Sequence, residues 1–155
     1  GSCVETLKRF KGLEHRVELV AERNEITFVN DSKSTTPHST VSALRGIPDA
    51  VLIAGGQNKG LDLTPLKEAK PHAVIAMGEA ADEIVKIFEN ECSVEVASTM
   101  SEAVEKAYKK AQPIGTVLLS PACASFDWYE SYSERGSDFI RAVSELKIFQ
   151  VDREH

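Results

Sequence analysis

Two short polar segments each place a lysine among hydroxyl or amide side chains, directly after an apolar run. The first, NDSKSTTP (30–37), surrounds Lys33 with a carboxylate and hydroxyls; the second, GGQNKG (55–60), holds Lys59 between glycines. Glycine lets a backbone approach a ligand closely, and lysine beside amide donors suits a carboxylate or a phosphate. The two segments indicate an anion-binding site. Ordinary turn and capping roles remain the alternative for both.

A third polar segment, SPACASFDWY (120–129), contains small residues and two serines, Ser120 and Ser125. No G-x-S-x-G elbow surrounds either serine, so a hydrolase nucleophile is not indicated. The segment GGQNKG matches neither the Walker A loop nor the dinucleotide fingerprint G-x-G-x-x-G. The histidines show neither the pattern of a catalytic triad nor the spacing of metal ligands: His15, His38, His72 and His155.

Apolar runs of strand length alternate with stretches of helical period, which predicts an α/β fold. We expect a Rossmann-like three-layer domain with a mostly parallel six-stranded sheet and an antiparallel edge hairpin. In such a sheet, ligands bind beyond the carboxyl ends of the strands. The predicted strands are 16–22, 25–30, 50–56, 72–78, 93–98 and 115–121.

Local signals mark the predicted helices. Thr36 and Pro37 begin the first helix, and Thr99 with Glu102 forms a capping-box pattern before another. The segments 62–69 and 79–91 are also predicted to be helical, and 133–147 is predicted to be the last helix. Its expected inward residues are Phe139, Ile140, Val143 and Leu146.

Composition excludes several classes of protein. The 155 residues carry a net charge of −6, which argues against general nucleic-acid binding, and are 42% hydrophobic without a run long enough to span a membrane. The 3 cysteines form no C-x-x-C pair, which predicts reduced thiols and no metal site. We therefore expect a cytoplasmic protein.

The motifs FKGLEHR, NDSKST, GGQNKG and LLSPACASFD together resemble the carboxy-terminal domain of the Mur ligases. Within that family they are most similar to the branch that adds D-glutamate to UDP-N-acetylmuramoyl-L-alanine. The resemblance extends from Phe10 to Leu146. It implies an ATP-dependent ligase of peptidoglycan synthesis, in which the γ-phosphate of ATP activates a carboxylate as an acyl phosphate. The amino group of D-glutamate then attacks the acyl phosphate, and Mg²⁺ neutralises the phosphates.

The resemblance also implies roles for individual residues. Lys33 would hold D-glutamate and also meet the transferred phosphate, which makes it the candidate catalytic residue. Asp31 would accept hydrogen bonds from the ATP ribose. The other implied D-glutamate ligands are Thr35, Lys59, Ser125, Phe126 and Tyr132, and the other implied nucleotide contacts are His15 and Arg16.

Some positions depart from the family pattern. Gln57 and Asn58 precede Lys59, a second threonine follows Thr35 where asparagine is common, and Phe126 replaces a common leucine. Tyr132 stands where the family usually has phenylalanine. We expect these departures to keep every implied charge contact and to alter the side-chain packing around the amino acid.

The resemblance implies a domain that works with others. We expect residues 1–2 to be a tag remnant, 3–15 a linker from a central ATPase domain, 16–150 the ligase domain and 151–155 a tail. ATP and Mg²⁺ would be bound mainly by that central domain, so we expect the chain alone to be inactive, and to be a monomer. The alternatives are a stand-alone module that binds an acidic metabolite or a nucleotide, and a dehydrogenase-like dinucleotide domain.

Overall fold

In a computed structural model of the chain, strands that are buried on both faces form the centre of the fold. The strand cores are almost entirely apolar, as expected for parallel strands covered by helices on each side. The structure describes residues 18–23, 25–47, 49–57, 60, 62–124 and 128–146.

A six-stranded sheet has the order β1-β2-β6-β3-β4-β5. Strand β1 runs antiparallel to β2, and every other neighbouring pair is parallel, which confirms the predicted edge hairpin and parallel sheet. The last strand, β6, is inserted between the first two parallel strands, β2 and β3. The strands are β1 (Glu18–Arg23), β2 (Ile26–Asn30), β3 (Val51–Gly55), β4 (Ala73–Met77), β5 (Ser93–Ala97) and β6 (Gly115–Leu119).

Helices cover both faces of the sheet, which confirms the predicted three-layer architecture. Alternate residues of the central strands point to opposite faces, so Leu52 lies in one apolar cluster and Ile53 in the other. Helices α1 and α2 and the 3₁₀ helix pack on the first face, and α3 and α4 on the second. The helices are α1 (Pro37–Arg45), a 3₁₀ helix (Thr64–Ala69), α2 (Ala81–Phe88), α3 (Met100–Ala111) and α4 (Tyr132–Ser144).

The predicted helix starts are confirmed by their capping hydrogen bonds. Thr36 Oγ1 accepts from the Ser39 amide at 3.3 Å, directly before Pro37. Thr99 Oγ1 accepts from the Glu102 amide at 3.1 Å, while the Glu102 carboxylate accepts from the Ser98 amide at 2.6 Å. In an ideal capping box the Glu102 carboxylate would accept from the amide of the N-cap residue Thr99; here it accepts from the amide one residue earlier. Two backbone amides are still satisfied.

The predicted inward face of the last helix is wrong at one residue. Phe139 and Val143 are buried as expected, but Ile140 is 37% exposed. The buried stripe of α4 also includes Arg135 and Ala142, so its centre lies about 100° away from Ile140 around the helix. The helix also begins one residue earlier than predicted.

Substitution of Gly55 can test the close packing of β3 against β4. A Cβ on Gly55 (φ +138°) would lie 1.9 Å from the Met77 carbonyl oxygen, whereas one on Gly60 (φ +84°) would meet nothing within 4 Å. We expect Gly55→Ala to lower the free energy of unfolding by more than about 4 kcal/mol, or to prevent folding. The control Gly60→Ala shares the unfavourable φ without the clash and should cost about 1–2 kcal/mol. Urea unfolding measures both, and equal losses would contradict the packing.

Candidate functional site

Three loops meet side by side at the carboxyl edge of the sheet, because β6 lies between β2 and β3. We name them by the sequence between the elements: the β2 loop (31–36), the β3 loop (56–63, of which 56–57, 60 and 62–63 are described) and the β6 loop (120–131, of which 120–124 and 128–131 are described). The β2 loop leads to α1 on one face and the β6 loop to α4 on the other, so the chain diverges at this point. A crevice at such a divergence is the usual ligand position in open α/β sheets.

Backbone hydrogen bonds join the β6 loop to both of its neighbours. On the side of the β2 loop, the Ala122 amide donates to the Ser34 carbonyl at 2.9 Å. On the side of the β3 loop, Gln57 and Ala124 exchange a pair of bonds at 2.9 and 3.1 Å. The first residues of the β6 loop, 120–124, therefore connect the two lysine-bearing loops through backbone hydrogen bonds.

Strained and closely packed backbone accompanies this bridge. Ala122 has a left-handed φ of 65° although it is fully buried, a conformation that costs a non-glycine residue energy. A Cβ on Gly56 would lie 2.3 Å from the Ala124 carbonyl oxygen, so only glycine fits beside the β6 loop there. These constraints hold the loop backbones in one arrangement.

A buried carboxylate organises the β2 loop from inside. Asp31 is 1% exposed, and its Oδ2 accepts a hydrogen bond from Ser120 Oγ at 2.9 Å and another from Ser34 Oγ. Thr40 Oγ1 donates to the Ser120 carbonyl at 3.0 Å, which extends the hydroxyl cluster to α1. The interior position gives Asp31 a structural role. Its implied contact with a ribose stays a prediction.

The cationic side chain of the β2 loop lies on the surface. Lys33 is exposed and Thr35 is half-buried, so both side chains are within reach of a ligand at the carboxyl edge. Tyr132 is 42% exposed and is the first residue of α4, just after the β6 loop. The other expected ligands fall outside the described residues: His15, Arg16, Lys59, Ser125 and Phe126.

Arg135 is a buried residue at the site that the sequence analysis did not single out. It lies on α4, is 1% exposed, and its Nη2 donates to the Ser32 carbonyl at 3.1 Å. One signal in the sequence could have identified it. Arg135 precedes Phe139 by four residues and Val143 by eight, so it occupies the apolar stripe of an amphipathic helix. A charged residue on such a stripe is rarely buried without a specific partner.

Aromatic side chains flank the start of α4. Trp128 and Tyr129 pack edge to face with ring centroids 6.3 Å apart, and the Tyr129 hydroxyl donates to the Asp138 carboxylate. Burial, followed by the nearby Asp138 carboxylate, raises the pKa of Tyr129 well above its usual range. Tyr129 therefore stays a neutral donor near pH 7 and holds the end of the β6 loop against α4.

Neither a metal-binding cluster nor a membrane-spanning helix is found in the described part of the chain. None of its His, Cys, Asp and Glu side chains forms a group of three or more that could hold a metal ion. Among these residues, no helix is both long and apolar enough to cross a membrane.

Comparison with known proteins identifies the family. The profile described as "Mur ligase, glutamate ligase domain" matches residues 15–123, which is more than half of the chain. The chain belongs to the Mur ligase family. The match includes the β2 and β3 loops and the first four residues of the β6 loop, 120–123.

Curated relatives place the chain within one branch of the Mur ligases. A protein of Acinetobacter baylyi is 41% identical over 156 residues, which cover 94% of this chain and 35% of the relative. A protein of Thermoanaerobacter sp. (strain X514) is 43% identical over 150 residues, which cover 92% and 33%. Both are named UDP-N-acetylmuramoylalanine–D-glutamate ligase. The chain thus spans about a third of the length of these relatives.

Solved structures of more distant Mur ligases share the fold. A murein peptide ligase from Psychrobacter arcticus matches 85% of this chain with a TM-score of 0.55 and 14% identity, over 30% of its own length. A single domain from Haemophilus ducreyi, ascribed to another UDP-N-acetylmuramate ligase, matches 81% with a TM-score of 0.55 and 12% identity. That match covers 98% of the Haemophilus domain, which was solved without the rest of its protein.

The hydroxyl cluster around Asp31 can be tested through Ser120. Ser120→Ala removes a buried donor to a carboxylate, so we expect the free energy of unfolding to fall by about 1.5–3 kcal/mol. Ser42→Ala makes the same change at an exposed position of α1 and should alter it by no more than about 0.5 kcal/mol. Denaturant unfolding of both variants provides the comparison. A Ser120→Ala variant as stable as the Ser42→Ala control would contradict the role assigned to the cluster.

Proposed function

We propose that the chain is the D-glutamate-binding domain of an ATP-dependent ligase that joins D-glutamate to UDP-N-acetylmuramoyl-L-alanine. One structural observation carries the proposal: the loops after β2, β6 and β3 lie side by side, tied together by backbone hydrogen bonds. The names of the curated relatives supply the substrates. Lys33 lies at the surface of the β2 loop. Lys59 lies outside the described residues, and the proposal assigns it to the same edge of the sheet because it follows the end of β3 closely in the sequence.

The chemistry of D-glutamate suits this arrangement. The amino acid presents two carboxylates, so two cations on separate rigid loops can bind both ends and fix its orientation. In this proposal Lys33 and Lys59 bind the carboxylates, and Thr35 and Ser125 donate further hydrogen bonds. Phe126 and Tyr132 enclose the aliphatic part. The amino group stays directed away from the loops, towards the activated acyl group.

Nucleotide and metal binding are assigned mainly to other parts of the intact ligase. In this proposal no residue of this domain is a ligand of Mg²⁺. When bound in the intact ligase, ATP and Mg²⁺ supply the activated phosphate. In our proposal His15, Arg16 and Asp31 contact the nucleotide only at the border of this domain. The reaction would take place in the cytoplasm, where the nucleotide substrates are found.

Ligand titration tests the binding role directly. We expect D-glutamate to shift the amide NMR signals of the β2 and β3 loops, with a dissociation constant on the order of 1 mM or weaker because the other walls of the site are absent. L-Glutamate serves as the matched control, since it carries the same charges in a different arrangement. Equal responses to both enantiomers, or shifts confined to another surface, would contradict the proposal.

If ATP binding belongs to the rest of the ligase, the chain alone should have no ligase activity. We expect no ADP when the chain is incubated with ATP, Mg²⁺, D-glutamate and UDP-N-acetylmuramoyl-L-alanine, because it supplies only one wall of the site. A coupled ADP assay makes the measurement, with an intact D-glutamate ligase as the positive control. Substrate-dependent ADP formation by the chain alone would show that the assignment of domains is wrong.

A further inference from the structure

Arg135 reaches from α4 to the backbone of the β2 loop. Its Nη2 donates to the carbonyl of Ser32 at 3.1 Å, a buried contact between residues 103 positions apart in the sequence. Ser32 directly precedes Lys33, so this hydrogen bond acts on the part of the loop that presents the lysine. The bond fixes the backbone of Ser32 and leaves the Lys33 side chain at the surface.

The same guanidinium also lies against the β3 loop. Its Nη1 stands 3.1 Å from the position that a Cβ on Gly56 would occupy. Gly56 itself is held from two sides: its carbonyl accepts from the Ala80 amide at 3.0 Å, and the Ala124 carbonyl oxygen lies 2.3 Å from the position that a Cβ on Gly56 would occupy. The planar group of Arg135 thus bonds to the β2 loop and stands beside the β3 loop.

Gly136 sets the distance between α4 and the β2 loop. A Cβ on Gly136 would lie 2.6 Å from Ser32 Oγ and 2.9 Å from Asn30 Nδ2, so any larger residue would push the helix outward. The close approach allows the Arg135 side chain to reach the Ser32 carbonyl. The pair Arg135–Gly136 therefore docks α4 on the β2 loop through contact and hydrogen bonding together.

We propose that Arg135 is a positioning residue of the D-glutamate site, which sets the separation between the loop that carries Lys33 and the loop that carries Lys59. This inference rests on the function proposed above. Burial of an arginine is costly unless its hydrogen bonds are well made, and an apolar side chain of similar volume fills space without that cost. A planar guanidinium can span two backbones at a fixed spacing, which neither an apolar side chain nor lysine can do.

A conservative substitution separates positioning from general stabilisation. Arg135→Lys keeps the positive charge but loses the planar guanidinium group with its several N–H donors. Arg141→Lys makes the same change on the same helix at a side chain that is 45% exposed. Amide hydrogen exchange at Ser34, Ala122 and Gln57 reports the loop hydrogen bonds without any ligand. We expect at least tenfold faster exchange at these amides in Arg135→Lys, with β4 and the Arg141→Lys control unchanged.

The second measurement is the dissociation constant of D-glutamate, determined by NMR titration of the same variants. We expect it to rise at least tenfold in Arg135→Lys and to stay within twofold in Arg141→Lys. A folded Arg135→Lys variant with unchanged loop exchange and unchanged affinity would overturn the proposal, as would faster exchange spread evenly over the domain. If the unsubstituted chain does not respond to D-glutamate, the proposed function fails, and hydrogen exchange alone decides whether Arg135 positions the loops.

Gly136→Ala provides a second route if Arg135→Lys does not fold. The variant retains Arg135 and gains helix propensity, so any loosening comes from displacement of α4 from Ser32. We expect faster exchange at Ser34 and Gln57, and weaker binding of D-glutamate. A folded Gly136→Ala variant with the loop exchange and the affinity of the unsubstituted chain, alongside an unfolded Arg135→Lys variant, would leave Arg135 as a folding residue only and refute the positioning role.

Discussion

The buried carboxylate of Asp31 joins parts of the chain that are far apart in sequence. Ser120 follows β6 and lies 89 residues from Asp31, yet its hydroxyl donates to the Asp31 carboxylate inside the domain. The contact requires β6 to lie directly beside β2, and the Asp31 amide reinforces this pairing by donating to the Leu119 carbonyl at 2.7 Å. Because β6 also pairs with β3, the β2 loop and the β3 loop lie on either side of the β6 loop.

The site combines a rigid backbone with exposed side chains. Gly56 packs too tightly against the β6 loop to accept a Cβ, and Ala122 keeps a strained backbone conformation in the interior. Lys33, by contrast, extends into solvent. In the proposed function, a wall of this kind orients a small dianion without itself moving, and the remaining walls are assigned to the rest of the ligase. The chain spans about a third of the length of the two curated relatives.

Local features of the structure followed from the sequence, and long-range ones did not. The caps at Thr36 and Thr99 depend on neighbouring residues, so short patterns were enough to predict them. The buried strands and the polar loops at their carboxyl ends followed from composition and the rules of parallel sheets. The interior position of Asp31 was not predictable, because it depends on Ser120 and on the insertion of β6. The burial of Arg135 was not predicted, because a charged residue normally lies on the solvent face of a helix.

Steady-state kinetics of the intact ligase carrying Lys33→Ala tests the central claim most directly, with Lys67→Ala as the control. Both lysines are exposed, but Lys67 lies on the 3₁₀ helix, outside the three loops. If the carboxyl-edge loops bind D-glutamate, Lys33→Ala should raise the KM for D-glutamate at least tenfold, whether or not kcat also falls, and Lys67→Ala should leave both constants unchanged. Equal KM and kcat values in the Lys33→Ala and unsubstituted enzymes would contradict the account.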